Sequence, residues 1–98
     1  MTIKYRNSGI EKVCTVASRA EKKYGFAMAQ KIQQRIDQIS AAASVEELIQ
    51  YRLGRCHALT GNRKGQYAMD LVHPMRLVFE KEGETVQIAV IQEIVDYH

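Results

Sequence analysis

Gln66-Tyr67-Ala68-Met69-Asp70-Leu71 and Met75-Arg76-Leu77-Val78-Phe79-Glu80, separated by Val72-His73-Pro74, are the stretch that decides the fold. In both runs the apolar side chains fall on every second residue: Tyr67, Met69 and Leu71 in the first, Met75, Leu77 and Phe79 in the second. That period belongs to strands buried on one face. With His73-Pro74 as the turn between them, the runs read as an antiparallel hairpin, and Arg76 falls in mid-strand on the face away from the core. Lys81 to Glu84 makes a second turn, after which Val86, Ile88 and Val90 start a last strand running to the end of the chain.

Upstream of the hairpin the period is helical. Phe26, Ala29, Ile32, Ile36 and Ile39 recur at spacings of three or four, while Gln30, Lys31, Gln33, Gln34, Arg35, Asp37 and Gln38 fill the opposite side. This predicts an amphipathic helix from Phe26 to about Ala42. Before it, Ser8-Gly9-Ile10-Glu11 has the form of a capping box, and Ile10, Val13, Cys14 and Ala17 give one apolar face to a helix that Gly25 ends. Ser44-Val45-Glu46-Glu47 repeats the capping pattern and predicts a short helical turn carrying Leu48 and Ile49; Thr2 to Arg6 alternates as a short first strand. The expected class is α+β, with two N-terminal helices packed on one face of a twisted antiparallel sheet and the other face partly open.

A chain of 98 residues with no repeat and no Pro/Gly/Ser-rich linker is expected to be one domain over residues 1–98. That length supports one core rather than a deep enclosed pocket, so a site is expected on an open surface. No segment approaches the roughly 18 consecutive apolar residues of a membrane span, and the expectation is a soluble, cytoplasmic protein with no membrane partner. Cys14 and Cys56 belong to no CxxC or Cys/His spacing and read as buried free thiols. No paired histidines, acidic cluster or phosphate-binding glycine loop suggests a metal or a cofactor. The formal charge of +3 is unevenly spread: residues 1–60 hold ten Lys/Arg against five Asp/Glu (+5), and residues 61–98 hold four against six (−2). A basic first half suits a phosphate backbone; solvated helix faces account for the same count.

The polar groups that carry chemistry are concentrated after residue 54. His57-Ala58-Leu59-Thr60-Gly61-Asn62-Arg63-Lys64-Gly65 is a turn rich in Gly and Asn beside two cations, suited to phosphate or simply to water. A guanidinium at Arg76 can hold a phosphate in a bidentate manner or pair with Asp70 or Glu80. His73, before Pro74, reads as an exposed turn residue. Asp96-Tyr97-His98 puts two more titratable groups on the last strand or in a polar tail. Together these fit metal-free RNA cleavage, which needs a base for the ribose 2′-hydroxyl, cations for the phosphate and an acid for the leaving 5′-oxygen.

Arg55 to Gly65, then Tyr67 to Phe79 with Arg76, then the terminal Asp96-Tyr97-His98, resemble the HigB-type toxins of the RelE/ParE superfamily, also called plasmid-maintenance killer proteins. That family's pattern is a strand ending in His-Pro-Leu-Lys-Gly-Asp-Arg-x-Gly, a strand pair containing an Arg, and a closing Asp-Tyr-His. The likeness covers roughly residues 51–98 and extends more loosely to the N-terminal strand and helices. It implies the toxin of a toxin–antitoxin pair, a metal-independent endoribonuclease that cuts mRNA on the ribosome and is blocked by a helix-turn-helix antitoxin. By this resemblance Arg63 and Arg76 stabilise phosphate charge, Asp96 and His98 move protons, Tyr97 stacks on or orients a base, and His57 joins the catalytic set. Arg55 and Lys64 are then RNA-binding cations. The chain departs from the pattern at Ala58, where the family has Pro, and at Thr60, where it often has Lys. Either Lys64 or Arg63 replaces that cation, or the nuclease is weaker. Two other readings stand beside it: a non-enzymatic ParE-like poison of DNA gyrase, and an inactive relative that only binds an antitoxin.

Overall fold

The structure is a computed structural model and describes residues 1–96. Its first strand, β1 (Thr2–Tyr5), leads into helices α1 (Ser8–Thr15), α2 (Ala17–Tyr24), α3 (Phe26–Ala41) and α4 (Val45–Gln50). The remaining strands are β2 (His57–Ala58), β3 (Gln66–Asp70), β4 (Arg76–Glu82) and β5 (Ile88–Val95), with short 3₁₀ turns at Leu53–Arg55 and Gly61–Arg63. The α+β class is as expected, and the helices cover one face of a five-stranded sheet of order β1-β5-β4-β3-β2. The sheet is mixed rather than wholly antiparallel. β1 pairs parallel with β5, from Thr2 opposite Ile88 to Tyr5 opposite Ile91, while the other pairings are antiparallel. Side-chain alternation is the same in both directions, so the sequence pattern carried no information on this point.

The first helix expected between Ser8 and Gly25 is two helices. Val13-Cys14-Thr15-Val16 is a run of poor helix formers, the Thr15 hydroxyl donates back to the Glu11 carbonyl at 2.7 Å, and Val16 is extended at φ −114, ψ 101. The cap is Asn7 rather than Ser8: the Asn7 Oδ1 accepts from the Ile10 amide at 3.0 Å. At α4 the expected capping residue holds, with Ser44 Oγ accepting from the Glu47 amide at 3.1 Å. Helix α3 buries Met28, Ile32, Ile36 and Ile39, but Phe26, read as part of that stripe, is exposed. Arg35, read as part of its polar face, is buried.

The core lies between helices and sheet. Ile32, Ile39, Val45, Leu48, Met69, Leu77, Phe79 and Ile91 are almost completely buried there, with Tyr67 stacked on Phe79 at 5.6 Å between ring centroids. Cys14 and Cys56 are buried free thiols, and burial pushes both up to about 12, so they stay protonated and inert. The hairpin forms as expected, with Tyr67 opposite Phe79 and Met69 opposite Leu77, and its turn contains a cis His73–Pro74 bond. In β5 the inward residues are Ala89 and Ile91, not Ile88 and Val90, and Val86 is exposed outside the strand. An irregularity at Val78/Phe79, where β4 pairs Glu93 and then Ile91, resets the alternation so that Ile94 again faces the core. Among the described residues no helix is long and apolar enough to cross a membrane.

Candidate functional site

Away from the helices, the sheet presents a polar face with a small apolar floor. His57, Ala68, Val78 and Glu93 lie in one row across β2, β3, β4 and β5. Ala68 and Val78 are fully buried yet lie outside the helix-side core. Along the strands they are flanked by Gln66 and Asp70 and by Arg76 and Glu80, the polar halves of the two alternating runs.

Asp70 organises one side of this face. Its carboxylate accepts from Arg76 Nη1 at 2.8 Å and pairs with Arg55 Nε at 3.1 Å, so one negative group is shared by two guanidinium ions. The backbone of the same residue is held from beneath: buried Arg35 on α3 donates through Nε to the Asp70 carbonyl oxygen at 2.6 Å and through Nη1 to Gln38 at 3.2 Å. Burial pulls the Arg35 pKa down, and the nearby Asp70 carboxylate opposes this. Arg35 fits only because residue 54 is glycine; a Cβ there would lie 2.5 Å from its Nε. The backbone around that glycine is left-handed at Arg52, Gly54 and Arg55 (φ 54, 56 and 53), a conformation that costs the two arginines about 1–2 kcal/mol each. The bend delivers Arg55 to Asp70 and turns the chain into β2.

The same bend orients His57. Its Nδ1 lies 2.8 Å from the Arg55 carbonyl oxygen, which can only accept, so Nδ1 carries the hydrogen and Nε2 is the basic nitrogen of the neutral ring. The ring is exposed, one strand across from Ala68, which lies two residues along β3 from Asp70.

Arg63 organises the other side. From the 3₁₀ turn it reaches Gln66 Oε1 on β3 at 3.1 Å and Glu93 Oε2 on β5 at 3.3 Å, with β4 lying between those strands. Gln66 in turn donates to Glu80 at 3.1 Å. Of the residues expected at a site, Arg55 and Arg76 are therefore brought together on Asp70, His57 is held by the Arg55 backbone on the adjacent strand, and Arg63 sits on the same face. Lys64 is exposed in the loop after that turn. Asp96 is exposed just past the end of β5, which stops at Val95 rather than running to the chain end. Tyr97 and His98 lie outside the described residues. The alternation had marked Asp70 and Glu80 as partners for Arg76; Asp70 takes that place, while Glu80 accepts from Gln66. Gln66, Glu93 and Arg35 were missed. Gln66 could have been found by its parity with Arg76, whereas Glu93 is placed by the β5 irregularity, which no local signal announces. Among the described residues no group of His, Cys, Asp and Glu has the arrangement of a metal site.

No family model matches the chain, and no curated protein matches it. Solved structures do. A YoeB/ParE toxin from Agrobacterium tumefaciens superposes with a TM-score of 0.68 at 15% identity, covering 100% of both chains. The YoeB dimer from Staphylococcus aureus gives a TM-score of 0.64 at 19% identity, covering 100% of this chain and 97% of that one. The architecture that carries this polar face is thus the fold of the YoeB/ParE toxins.

Proposed function

We propose that residues 1–98 form the toxin of a type II toxin–antitoxin pair, of the HigB kind, which cleaves mRNA on the ribosome without a metal ion. The observation that carries this reading is the join through Arg55: its carbonyl engages His57 Nδ1, and its guanidinium shares the Asp70 carboxylate with Arg76. In the reaction we assign to it, His57 Nε2 takes the proton of a ribose 2′-hydroxyl. The 2′-oxygen attacks phosphorus, and the bond from phosphorus to the 5′-oxygen breaks. Arg76 and Arg63 offset the charge that builds on the phosphate oxygens, and Arg55 and Lys64 hold the flanking backbone. His98, with Asp96 beside it in sequence, returns a proton to the leaving 5′-oxygen, and Tyr97 stacks on a base. A face this open positions RNA weakly, so the ribosome supplies orientation. A helix-turn-helix antitoxin is the expected partner that silences the toxin.

The test is expression from a tight promoter, with growth followed and mRNA 5′ ends mapped. In-frame cuts on translated messages support the proposal. Growth arrest without cuts would move the protein to the class of protein-contact poisons such as those of gyrase. Absence of both would make it a relative that only binds an antitoxin.

A further inference from the structure

Helices α1 and α2 enclose a groove of about 470 Å³ lined by Gly9, Lys12, Val13, Arg19, Lys22 and Lys23, four cations and no acid. All four cations are exposed, and among the described residues none of them is in an ion pair; Lys23 lies over the Tyr24 ring at 5.4 Å. The cations of the sheet face differ in this respect: Arg55 and Arg76 already share Asp70, and Arg63 already meets Glu93. Unpaired cations grouped on two short helices repel one another, a cost that an arriving polyanion relieves.

The groove is not isolated from the sheet face. A second hollow of about 260 Å³ shares Gly9, Val13 and Lys23 with it and continues along Gln92, Glu93 and Ile94 of β5. This passage exists because β1 pairs with β5 only up to Ile91, so that among the described residues no strand pairs with the C-terminal half of β5 on that side. Its far end is Glu93, the residue that holds Arg63. The two hollows therefore adjoin, and the second reaches the residue that pairs with Arg63 on the sheet face.

We propose that the α1–α2 groove is a docking surface for the phosphate backbone of the RNA strand that occupies the sheet face, seating the single-stranded segment that flanks the cut. The proposal rests on the ribonuclease reading and adds the path of the strand across the protein. Charge complementarity selects a polyanion, and continuity with the sheet face selects the substrate strand as its source.

The experiment measures binding of the full chain to 2′-O-methylated single-stranded RNA, which cannot be cut, at lengths of about 4 and about 16 nucleotides, the range of single-strand site sizes. Three proteins are compared: the parent, the double variant Lys12→Gln/Lys22→Gln, and Arg76→Ala. The parent should bind the longer RNA at least about 10-fold more tightly. The double variant should lose that gain, keep its affinity for the shorter RNA and its melting temperature, and show a salt slope lower by about 1.4, two phosphate contacts at about 0.7 each. Arg76→Ala should weaken binding of both lengths. A length gain that survives the double substitution, or a parent with no length gain, overturns the proposal. So does a dependence on Lys12 and Lys22 seen only in cosedimentation with ribosomes, because the occupant is then ribosomal RNA. Failure of the parent to bind either RNA overturns the proposal; the ribonuclease reading, which gives orientation to the ribosome, stands or falls separately on the mapped mRNA 5′ ends. A length gain that maps to the lysines with no effect of Arg76→Ala upholds the groove and removes Arg76 from the site.

Discussion

The two faces of the sheet are made by the same strands, and they use polar groups in opposite ways. On the helix side, polar side chains are few and committed to the backbone. Arg35 donates to the Asp70 carbonyl, and buried Gln87 accepts from the Val45 amide at 2.8 Å while donating to Glu46 at 2.7 Å and to the Glu84 carbonyl at 3.1 Å. On the outer side, Arg55, Asp70 and Arg76, and likewise Arg63, Gln66, Glu80 and Glu93, are paired mainly with one another across partly exposed gaps. Removing a backbone-committed partner leaves a buried group unsatisfied, whereas an exposed side-chain pair can exchange its partner for water or a ligand at small cost. Under the proposed function, stability and chemistry are divided between alternate residues of β3 and β4, and substitutions on the two faces should separate in what they damage.

The largest effect is expected on the helix side. Phe79→Ala removes a completely buried ring stacked on Tyr67 and should cost about 3–5 kcal/mol, a large share of the stability of a domain this size. Chemical denaturation should show it as a fall in midpoint with loss of every activity. Its outer-face counterpart is Arg76→Ala, expected to reduce cleavage on the order of 100-fold while moving the melting temperature little, because it removes a charge donor and not a core contact. Should Arg76→Ala unfold the protein, or leave the activity whole, the division between faces is wrong.

Arg35 tests the boundary. It belongs to the helix side but holds the residue on which the outer cations converge, so Arg35→Leu should lower stability by about 1–3 kcal/mol and also reduce activity. Gly54→Ala should reproduce both losses, since its methyl group displaces the Arg35 guanidinium. A stability loss with activity unchanged would show that Asp70 keeps its place without the buried support.

The smallest effect is a pH dependence. The Glu46 carboxyl is held below the usual carboxylate range, first by the hydrogen bond from Gln87 and then by that from Lys81. A carboxylate depressed on folding contributes stability that is complete above the unfolded pKa and is lost as pH falls through the folded one. Glu46→Gln should therefore melt slightly below the parent at pH 7, and the gap should close as pH falls below the usual carboxylate range. A gap that persists in strong acid would mean that shape, not charge, holds α4 to the β4–β5 turn.

Much of the fold was legible because it rests on local period. Alternation over Gln66–Leu71 and Met75–Glu80 placed the hairpin and its apolar face, and the spacing of Ile32, Ile36 and Ile39 placed α3. Candidate site residues were legible as a set of types, His57, Arg55, Arg63 and Arg76, because cations and histidine near a glycine-rich turn stand out against an apolar hairpin. Their arrangement was not. Spacing alone puts Arg35 on the buried stripe of α3, three residues after Ile32 and four before Ile39, but does not say what receives it: Asp70 presents a carbonyl and Gly54 makes room.

By itself the sequence determined that a helical first half precedes a hairpin, which face of that hairpin is apolar, and which types of titratable and cationic side chain the second half offers, since each of these depends on residues within a turn or two of one another. Only the tertiary structure decided that β1 runs parallel to β5, that Arg55 and Arg76 share Asp70, that Glu93 meets Arg63, and that the α1–α2 groove opens toward the sheet face. The reason is physical: backbone period is set by neighbours along the chain, whereas the partner of a charge is whichever opposite group packing brings within about 4 Å, however far away it lies in sequence.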